Sequence, residues 1–192
     1  MTSQENALAK ITAFLEQQHV PYMVIGGMAN LIWGEPRATL DVDVTVLVPQ
    51  PAIDGFIESV GRDYTILVQD PSGFVRDTRV LPVSSQSGIR IDLIFGLLPF
   101  EEEAVRRAVP VEAAGRSIRV CTAEDLILMK MISDRPRDLA DARAIVRRRI
   151  LALDLGYLEP RVLEMASLME RDDIATRWRE WKAEATKRQQ ER

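Results

Sequence analysis

The chain has 192 residues, of which 46% are hydrophobic, and its formal net charge is −4. This content suffices for a buried core, and it excludes a chain drawn to nucleic acid by its overall charge, so any such contact needs a local basic patch. The only cysteine, Cys121, excludes an internal disulfide and a zinc site built from several cysteines. A lone cysteine suits a reducing compartment, so we expect the cytoplasm.

The first part of the chain alternates between helical and strand patterns. Helical spacing of apolar residues predicts three helices, at 6–18, 28–34 and 52–61. Apolar runs and period-two alternation predict five strands, at 22–26, 40–48, 64–68, 78–84 and 89–96. Turn signals lie at 70–73 and 87–88. Together these segments predict a mixed sheet with helices packed on it.

The last third of the chain changes character. A hairpin is predicted over 111–120, and the sequence is almost wholly helical after Thr122. Thr122 with Asp125 three residues later is typical of a capped helix start. No apolar run approaches the roughly 20 residues that a membrane span needs. The sequence therefore divides near Val120 into a sheet-containing part and a helical part.

Two aspartates stand one residue apart in the apolar segment 40–48. Because side chains alternate along a strand, Asp41 and Asp43 point to the same face, about 7 Å apart along the backbone. Two like charges at this distance are unfavourable unless a cation such as a divalent metal lies between them. For this pair taken alone, a solvated edge strand is the alternative.

A third strand carboxylate, Asp92, strengthens the metal interpretation. It lies between Ile91 and Leu93 in the segment IRIDLIF, so it projects away from the core on the same side as Arg90. Aspartates sharing one face of a sheet suit Mg²⁺, which takes oxygen ligands and completes its shell with water and substrate phosphates. Taken alone, Asp92 is equally well explained as an edge carboxylate.

A glycine pair, Gly26-Gly27, lies between a predicted strand and a predicted helix. Glycines let a backbone approach a ligand closely, and the free amides at a helix start attract phosphate. We therefore expect a nucleoside triphosphate here, although most such pairs are only tight turns.

These residues carry a family resemblance. Gly26-Gly27, thirteen further residues, Asp41-Val42-Asp43 and the later Asp92 resemble the signature of the polymerase-beta-like nucleotidyltransferase superfamily. The segments GEPRATLDVDV and TAEDLILMKMISDRPRDLADARAIV further resemble the bacterial abortive-infection type IV toxin group, which is AbiEii-like. The resemblance covers about 22–146.

The resemblance implies an α+β fold, with a nucleotidyltransferase-type mixed sheet and a helical C-terminal region. It implies a catalytic domain at 1–120 and a helical subdomain at 121–192. The implied activity is Mg²⁺-dependent transfer of a nucleoside monophosphate from a nucleoside triphosphate such as ATP to a hydroxyl of RNA (tRNA) or protein, within a toxin-antitoxin system that supplies an antitoxin partner. Mn²⁺ is an alternative to Mg²⁺, and a small molecule such as an aminoglycoside is a further acceptor.

The resemblance also implies residue roles. The catalytic and metal-binding residues are Asp41, Asp43 and Asp92, of which Asp92 assists a metal or takes the acceptor proton. The nucleotide-binding residues are Gly26, Gly27, Arg37, Thr39 and Lys130.

Structural roles compete with several of these assignments. Arg37 and Thr39 could instead brace the acidic strand, and Lys130 could be a solvated lysine on an amphipathic helix. Asp138 and Asp141 share a helix face, where they would be solvated or would orient Lys130, with Arg137 and Arg143 as ionic neighbours. Trp33 is expected in the core, and His19 on the surface.

Two function classes follow from the sequence. The leading one is an active nucleotidyltransferase, and the alternative is a non-catalytic nucleotide-binding interaction protein, such as an antitoxin or regulatory partner with the same fold. Three clustered carboxylates argue against the second class, because their mutual repulsion has no use without a cation. An arginine cluster at 143–149 could contact an RNA backbone, although a charged helix surface is its ordinary explanation.

Overall fold

The computed structural model describes residues 2–133 and 135–191. Within them the strands are β1 (Tyr22–Val24), β2 (Asp41–Val46), β3 (Thr65–Ile66), β4 (Val80–Ser84), β5 (Arg90–Phe95), β6 (Val109–Ala113) and β7 (Arg116–Val120). The helices are α1 (Ser3–Gln17), α2 (Gly26–Trp33), α3 (Ile53–Asp63), α4 (Pro71–Thr78), α5 (Pro99–Arg107), α6 (Ala123–Met131), α7 (Pro136–Arg149), α8 (Leu155–Leu168) and α9 (Asp172–Gln190). A short 3-10 helix, Gln50–Ala52, precedes α3.

All seven strands form one mixed sheet in the order β3-β4-β5-β2-β1-β7-β6. At its centre β2 runs parallel to β5 and antiparallel to β1, and β1 runs parallel to β7. The outer pairs, β3 with β4 and β6 with β7, are antiparallel. The mixed sheet with helices confirms the predicted fold class.

The contacts of the chain group it into two compact units. The first comprises the residues up to Ala29 together with Ala38–Cys121, and the second comprises Asn30–Arg37 together with the residues from Thr122 onward. Helix α2 begins in the first unit and ends in the second. The assignment of catalysis to 1–120 stays a prediction, because compactness alone shows no activity.

The first unit buries one face of β2 and β5. Alternate residues of these strands are fully buried, namely Val42, Val44, Val46, Ile91, Leu93 and Phe95. The ring of Phe95 meets Phe56 edge-on at 5.9 Å, and Phe14 of α1 meets Tyr64 at 5.8 Å. Burial raises the pKa of Tyr64 to about 12. The remaining residues of β2 and β5 face away from this core.

The second unit is helical. Trp178 and Trp181 of α9 are buried. Thr122 caps α6, where its hydroxyl accepts from the Asp125 amide. The buried Asp125 carboxylate accepts from the Tyr157 hydroxyl at 2.6 Å, which links α6 to α8. None of the described helices has the length and apolar character that a membrane span requires.

Two helices differ from the sequence prediction. The segment 70–73, predicted as a turn, begins α4, because the Asp70 carboxylate accepts from the Gly73 amide and Pro71 occupies the first helical turn. Helix α5 was not predicted, and it begins at Pro99 with Glu101 accepting from the amides of Leu97 and Leu98. The predicted strand at 64–68 is reduced to the two residues of β3.

Candidate active site

The three predicted metal-binding aspartates lie on two adjacent parallel strands. Asp43 of β2 pairs in register with Asp92 of β5, and Asp41 pairs with Arg90. All three aspartates are half-buried, and the valines between and beside them on β2 are buried. The alternation predicted for β2 is therefore present, and the register of the parallel pair adds that Asp43 and Asp92 are direct neighbours across the sheet.

Gly26 is required by the position of Asp43. Its φ is +61°, in the left-handed region, and an alanine Cβ at this position would lie 1.9 Å from Oδ2 of Asp43. The Ile25 amide also donates to the Asp43 carbonyl at 3.0 Å. The start of α2 is thus held against the acidic strand so closely that a side chain at Gly26 would displace the carboxylate.

Gly27 makes a similar approach to Thr39. A Cβ on Gly27 would lie 2.3 Å from the Thr39 hydroxyl oxygen. That hydroxyl donates to Oδ1 of Asp41 at 3.1 Å and lies 3.3 Å from the Asp41 carbonyl. Thr39 therefore lies between the glycine pair and Asp41. This position suits the structural role of bracing the acidic strand, which was the alternative to nucleotide contact.

The Asp92 carboxylate has a cationic partner beside it. Arg90 Nε donates to both oxygens of Asp92, at 3.0 and 3.2 Å. Arg90 is largely exposed and Asp92 is not. The guanidinium offsets part of the negative charge that Asp43 and Asp92 place on neighbouring strands.

The three aspartates suit a hard divalent cation both by their oxygen atoms and by their positions on the paired strands. Asp41, Asp43 and Asp92 offer only carboxylate oxygens, the ligands that Mg²⁺ takes, from one face of two paired strands. Among residues 2–133 and 135–191, however, no three His, Cys, Asp or Glu side chains are placed closely enough to form a metal cluster. The metal assignment therefore stays a prediction that rests on residue type and register.

Arg37 and Lys130, predicted to contact nucleotide, meet at one carboxylate in the second unit. Arg37 donates to both oxygens of Asp141, with Nη2 at 2.7 Å from Oδ2. The Lys130 ammonium is 2.9 Å from the same Oδ2 and 2.8 Å from Oδ1 of Asp138, whose other oxygen accepts from Ser133. Lys130 is only 5% exposed, so it is not a solvated lysine.

These contacts set the charge state of the two aspartates. Burial by itself raises the pKa of Asp141, but hydrogen bonds from Arg37 and Lys130 hold the pKa below its ordinary value of 3.8. The pKa of Asp138 is lowered in the same way by Lys130 and Ser133 against the effect of burial. The prediction that Arg143 is an ionic neighbour of this pair is wrong, because Arg143 donates to Glu184 at 2.6 Å.

The predicted site residues thus fall into two groups. The glycine pair, Thr39 and the three aspartates lie together in the first unit, whereas Arg37 and Lys130 belong to the second. The prediction that Asp138 and Asp141 orient Lys130 is confirmed by their hydrogen bonds to its ammonium group. The contact of Arg37 with Asp141 was not predicted, since these residues are 104 positions apart. His19 is exposed as expected, and Trp33 is only half-buried, with Arg149 stacked 4.8 Å above its ring.

The family model "Nucleotidyltransferase of unknown function (DUF6036)" matches residues 6–190. No curated protein is similar enough in sequence to count as a relative. Nothing in this match identifies the abortive-infection toxin group, so that finer resemblance stays a prediction.

Solved structures of nucleotidyltransferases share the fold. The antibiotic-resistance factor ANT(2'')-Ia is 16% identical with a TM-score of 0.60, over 89% of this chain and 95% of that one. An antigenic nucleotidyltransferase-like protein from Paracoccidioides brasiliensis is 16% identical with a TM-score of 0.55, over 91% of each chain. The lincosamide antibiotic adenylyltransferase LnuA is 17% identical with a TM-score of 0.51, over 76% of this chain and 96% of that one. At these identities the likeness shows the fold alone.

Proposed function

The chain belongs to the nucleotidyltransferase family described as DUF6036, and from this membership we propose that it transfers a nucleoside monophosphate to a hydroxyl group. The donor is a nucleoside triphosphate such as ATP. The acceptor hydroxyl belongs to RNA, with tRNA as the first candidate, or to protein. The observation that carries the proposal is the pairing of Asp43 with Asp92 across β2 and β5, with Asp41 on the same face. Carboxylates at adjacent positions of one sheet face repel one another, and this repulsion favours binding of a cation.

In the proposed mechanism Asp41, Asp43 and Asp92 would hold Mg²⁺, with Mn²⁺ as a substitute. When bound, the metal neutralises the charge that develops on the phosphoryl oxygens. Thr39 orients the Asp41 carboxylate through its hydrogen bond of 3.1 Å. Asp92 either assists the metal or, once released from Arg90, takes the proton of the acceptor hydroxyl. The acceptor oxygen forms a bond to the α-phosphorus as the bond to the leaving pyrophosphate breaks.

The glycine pair has a second role in this proposal. The first amides of a helix have no acceptor within the helix, and they favour an anionic ligand such as phosphate. Asp43 and Thr39 fill the space where side chains of Gly26 and Gly27 would lie, so the triphosphate is proposed to contact the amides themselves at the start of α2. The close packing of Asp43 and Thr39 against the same glycines links phosphate binding to the carboxylates.

Arg37 and Lys130 remain predicted nucleotide contacts, but their ion pairs favour the structural alternative. Both cations donate to Asp141, and Lys130 also donates to Asp138, so their charge is already matched by carboxylates within the second unit. We propose that the two residues mainly stabilise that unit.

We also propose a biological setting for the protein. The sequence resemblance supports a toxin-antitoxin system with an antitoxin partner, and the single buried cysteine, Cys121, supports the cytoplasm as its location. ANT(2'')-Ia is described as an antibiotic-resistance factor and LnuA as a lincosamide antibiotic adenylyltransferase, so lincosamides join the aminoglycosides named from the sequence as acceptors to be tested. A non-catalytic nucleotide-binding partner is the alternative function.

A labelling experiment tests the proposal. Purified protein is incubated with Mg²⁺, a cell lysate and each nucleoside triphosphate, labelled in turn at the α- or γ-phosphate. Nucleotidyl transfer moves only the α-label to an acceptor, and ribonuclease or protease treatment then identifies RNA or protein. Parallel reactions replace the lysate with an aminoglycoside or a lincosamide. Nucleotide binding without transfer to any acceptor would favour the non-catalytic alternative.

A further inference from the structure

The second unit contains a cleft of about 380 Å³ between the ends of two helices. It is lined by Arg147 and Arg148 near the end of α7, by Arg188 and Gln189 near the end of α9, and by Glu35, which follows α2. Three of the five lining residues are arginines, although the chain as a whole carries a net charge of −4. The cleft is therefore a local exception to the charge of the protein.

The arginines around this cleft differ in how their charge is used. Arg143 donates to Glu184, Arg147 donates to Glu35, and Arg149 donates to the carbonyls of Ile32 and Trp33. The partners of these three guanidinium groups give each of them a structural role. Of the arginine cluster at 143–149, Arg148 alone has no such partner among the residues that the structure describes.

Arg148 and Arg188 are exposed, and neither has an ion pair or hydrogen bond with any residue that the structure describes. They come from two helices that pack on each other, so two unmatched positive charges share one cleft. Like charges brought together in this way repel, and the repulsion is relieved when an anion binds between them. The planar guanidinium fork matches phosphate oxygens better than an ammonium group does.

We infer that the cleft lined by Arg147, Arg148 and Arg188 binds backbone phosphates of the RNA acceptor. The inference deepens the proposed function, on which the identity of the partner rests, and it assigns RNA docking to residues of the second unit. The lining of the cleft is mostly polar and offers little apolar surface on which a peptide side chain could be buried. Arg148 and Arg188 supply the phosphate contacts, and Glu35 keeps Arg147 oriented.

Binding of a fluorescein-labelled RNA stem-loop, measured by anisotropy without nucleotide or metal, tests this site. The Arg148→Gln/Arg188→Gln variant is compared with wild type between about 50 and 200 mM salt. We expect the variant to bind at least about tenfold more weakly at low salt. The slope of the logarithm of affinity against the logarithm of salt concentration should be smaller in magnitude by about 1.4 to 1.8, because two phosphate contacts are lost.

The matched control is Arg62→Gln/Arg106→Gln. These arginines also lie in the last turns of helices, α3 and α5, and their removal changes the net charge equally. The control is expected to bind like wild type. Failure of wild type to bind, unchanged affinity of the cleft variant, or an equal loss in the control would each overturn the assignment. Because the assay needs no turnover, it remains informative if the labelling experiment finds no transfer.

Discussion

Asp43 and Asp92 are paired residues of two parallel strands, and Gly26 packs directly against the Asp43 carboxylate. The glycines are needed because Asp43 and Thr39 occupy the space that their side chains would fill, and the aspartates share the face of the sheet opposite its core.

Asp43→Asn should remove stabilisation by metal and nucleotide. For wild type, Mn²⁺ with a nucleoside triphosphate at a hundred times the dissociation constant should add about 2.7 kcal/mol to the free energy of unfolding, which corresponds to a rise of roughly 5–10 °C in Tm. Without ligand, the variant should be at least as stable as wild type, because one of the repelling charges is gone. Asp77→Asn, an exposed aspartate in α4, is the control and should respond like wild type. An undiminished shift in Asp43→Asn would remove this residue from the metal site.

Gly26→Ala should destabilise the protein. The left-handed φ alone costs a non-glycine residue about 1–2 kcal/mol, and the new Cβ must displace the Asp43 carboxylate. Gly55→Ala in α3 is the matched control, because no atom lies within 4 Å of its added Cβ, and it should stabilise the helix by about 0.5–1 kcal/mol. Urea unfolding measures both. Equal stability of the two variants would show that the close approach at Gly26 is absent.

Lys130→Met should destabilise the second unit strongly. Removing one partner of a buried ion pair typically costs about 3–5 kcal/mol. Because Arg37 still pairs with Asp141, the charge left uncompensated is that of Asp138, and we expect the lower end of this range. In Lys130→Met/Asp138→Asn the loss should be partly restored. Chemical unfolding of the single and double variants measures the coupling. Additive effects of the two substitutions would contradict the ion pair between Lys130 and Asp138.

Acid should weaken the contribution of Asp138 and Asp141. Their folded-state pKa values lie below the ordinary value of 3.8, so the carboxylates contribute full stability above that pH and lose it as the pH falls through their lowered pKa values. The difference in free energy of unfolding between wild type and Asp138→Asn/Asp141→Asn should be constant from neutral pH down to about 5, and should shrink below about 4. A difference that stays constant to pH 2.5 would show that neither aspartate titrates in this way.

Neighbouring arginines of α7 should behave differently. Arg149→Gln loses charged hydrogen bonds to the carbonyls of Ile32 and Trp33, at 3.1 and 2.9 Å, so we expect a loss of about 2 kcal/mol. Arg148→Gln loses no such contact and should leave the free energy of unfolding within about 0.5 kcal/mol of wild type. Thermal and urea unfolding distinguish the two variants. Strong destabilisation by Arg148→Gln would mean that this side chain has a structural role.

The strands and the face of each aspartate could be predicted from the sequence, because period-two alternation determines the direction of each side chain. Which strand lies next to β2 could not be predicted. Alternation within Asp41–Val46 and Arg90–Phe95 carries no information about which strands pair or in which register. Alternation placed Asp92 on the face away from the core, but only the structure shows that it pairs with Asp43 across the sheet.

Other features depend on contacts that leave no local signal. Asp70-Pro71-Ser72-Gly73 suits both a turn and a helix start, and only the following residues of α4 decide between them. Lys130 has the pattern of a surface lysine, yet it pairs with Asp141, which also binds Arg37 from a distant segment. Long-range ion pairs of this kind appear only once the fold is known.

The measurement that tests the central claim most directly is the rate of α-phosphate transfer by wild type, Asp41→Asn, Asp43→Asn and Asp77→Asn under identical Mg²⁺ and nucleotide concentrations. We predict that the two β2 variants lose at least about a hundredfold in rate while remaining folded, because the metal supplies several kcal/mol of transition-state stabilisation, and that Asp77→Asn matches wild type. Transfer by Asp41→Asn and Asp43→Asn at the wild-type rate would contradict the account.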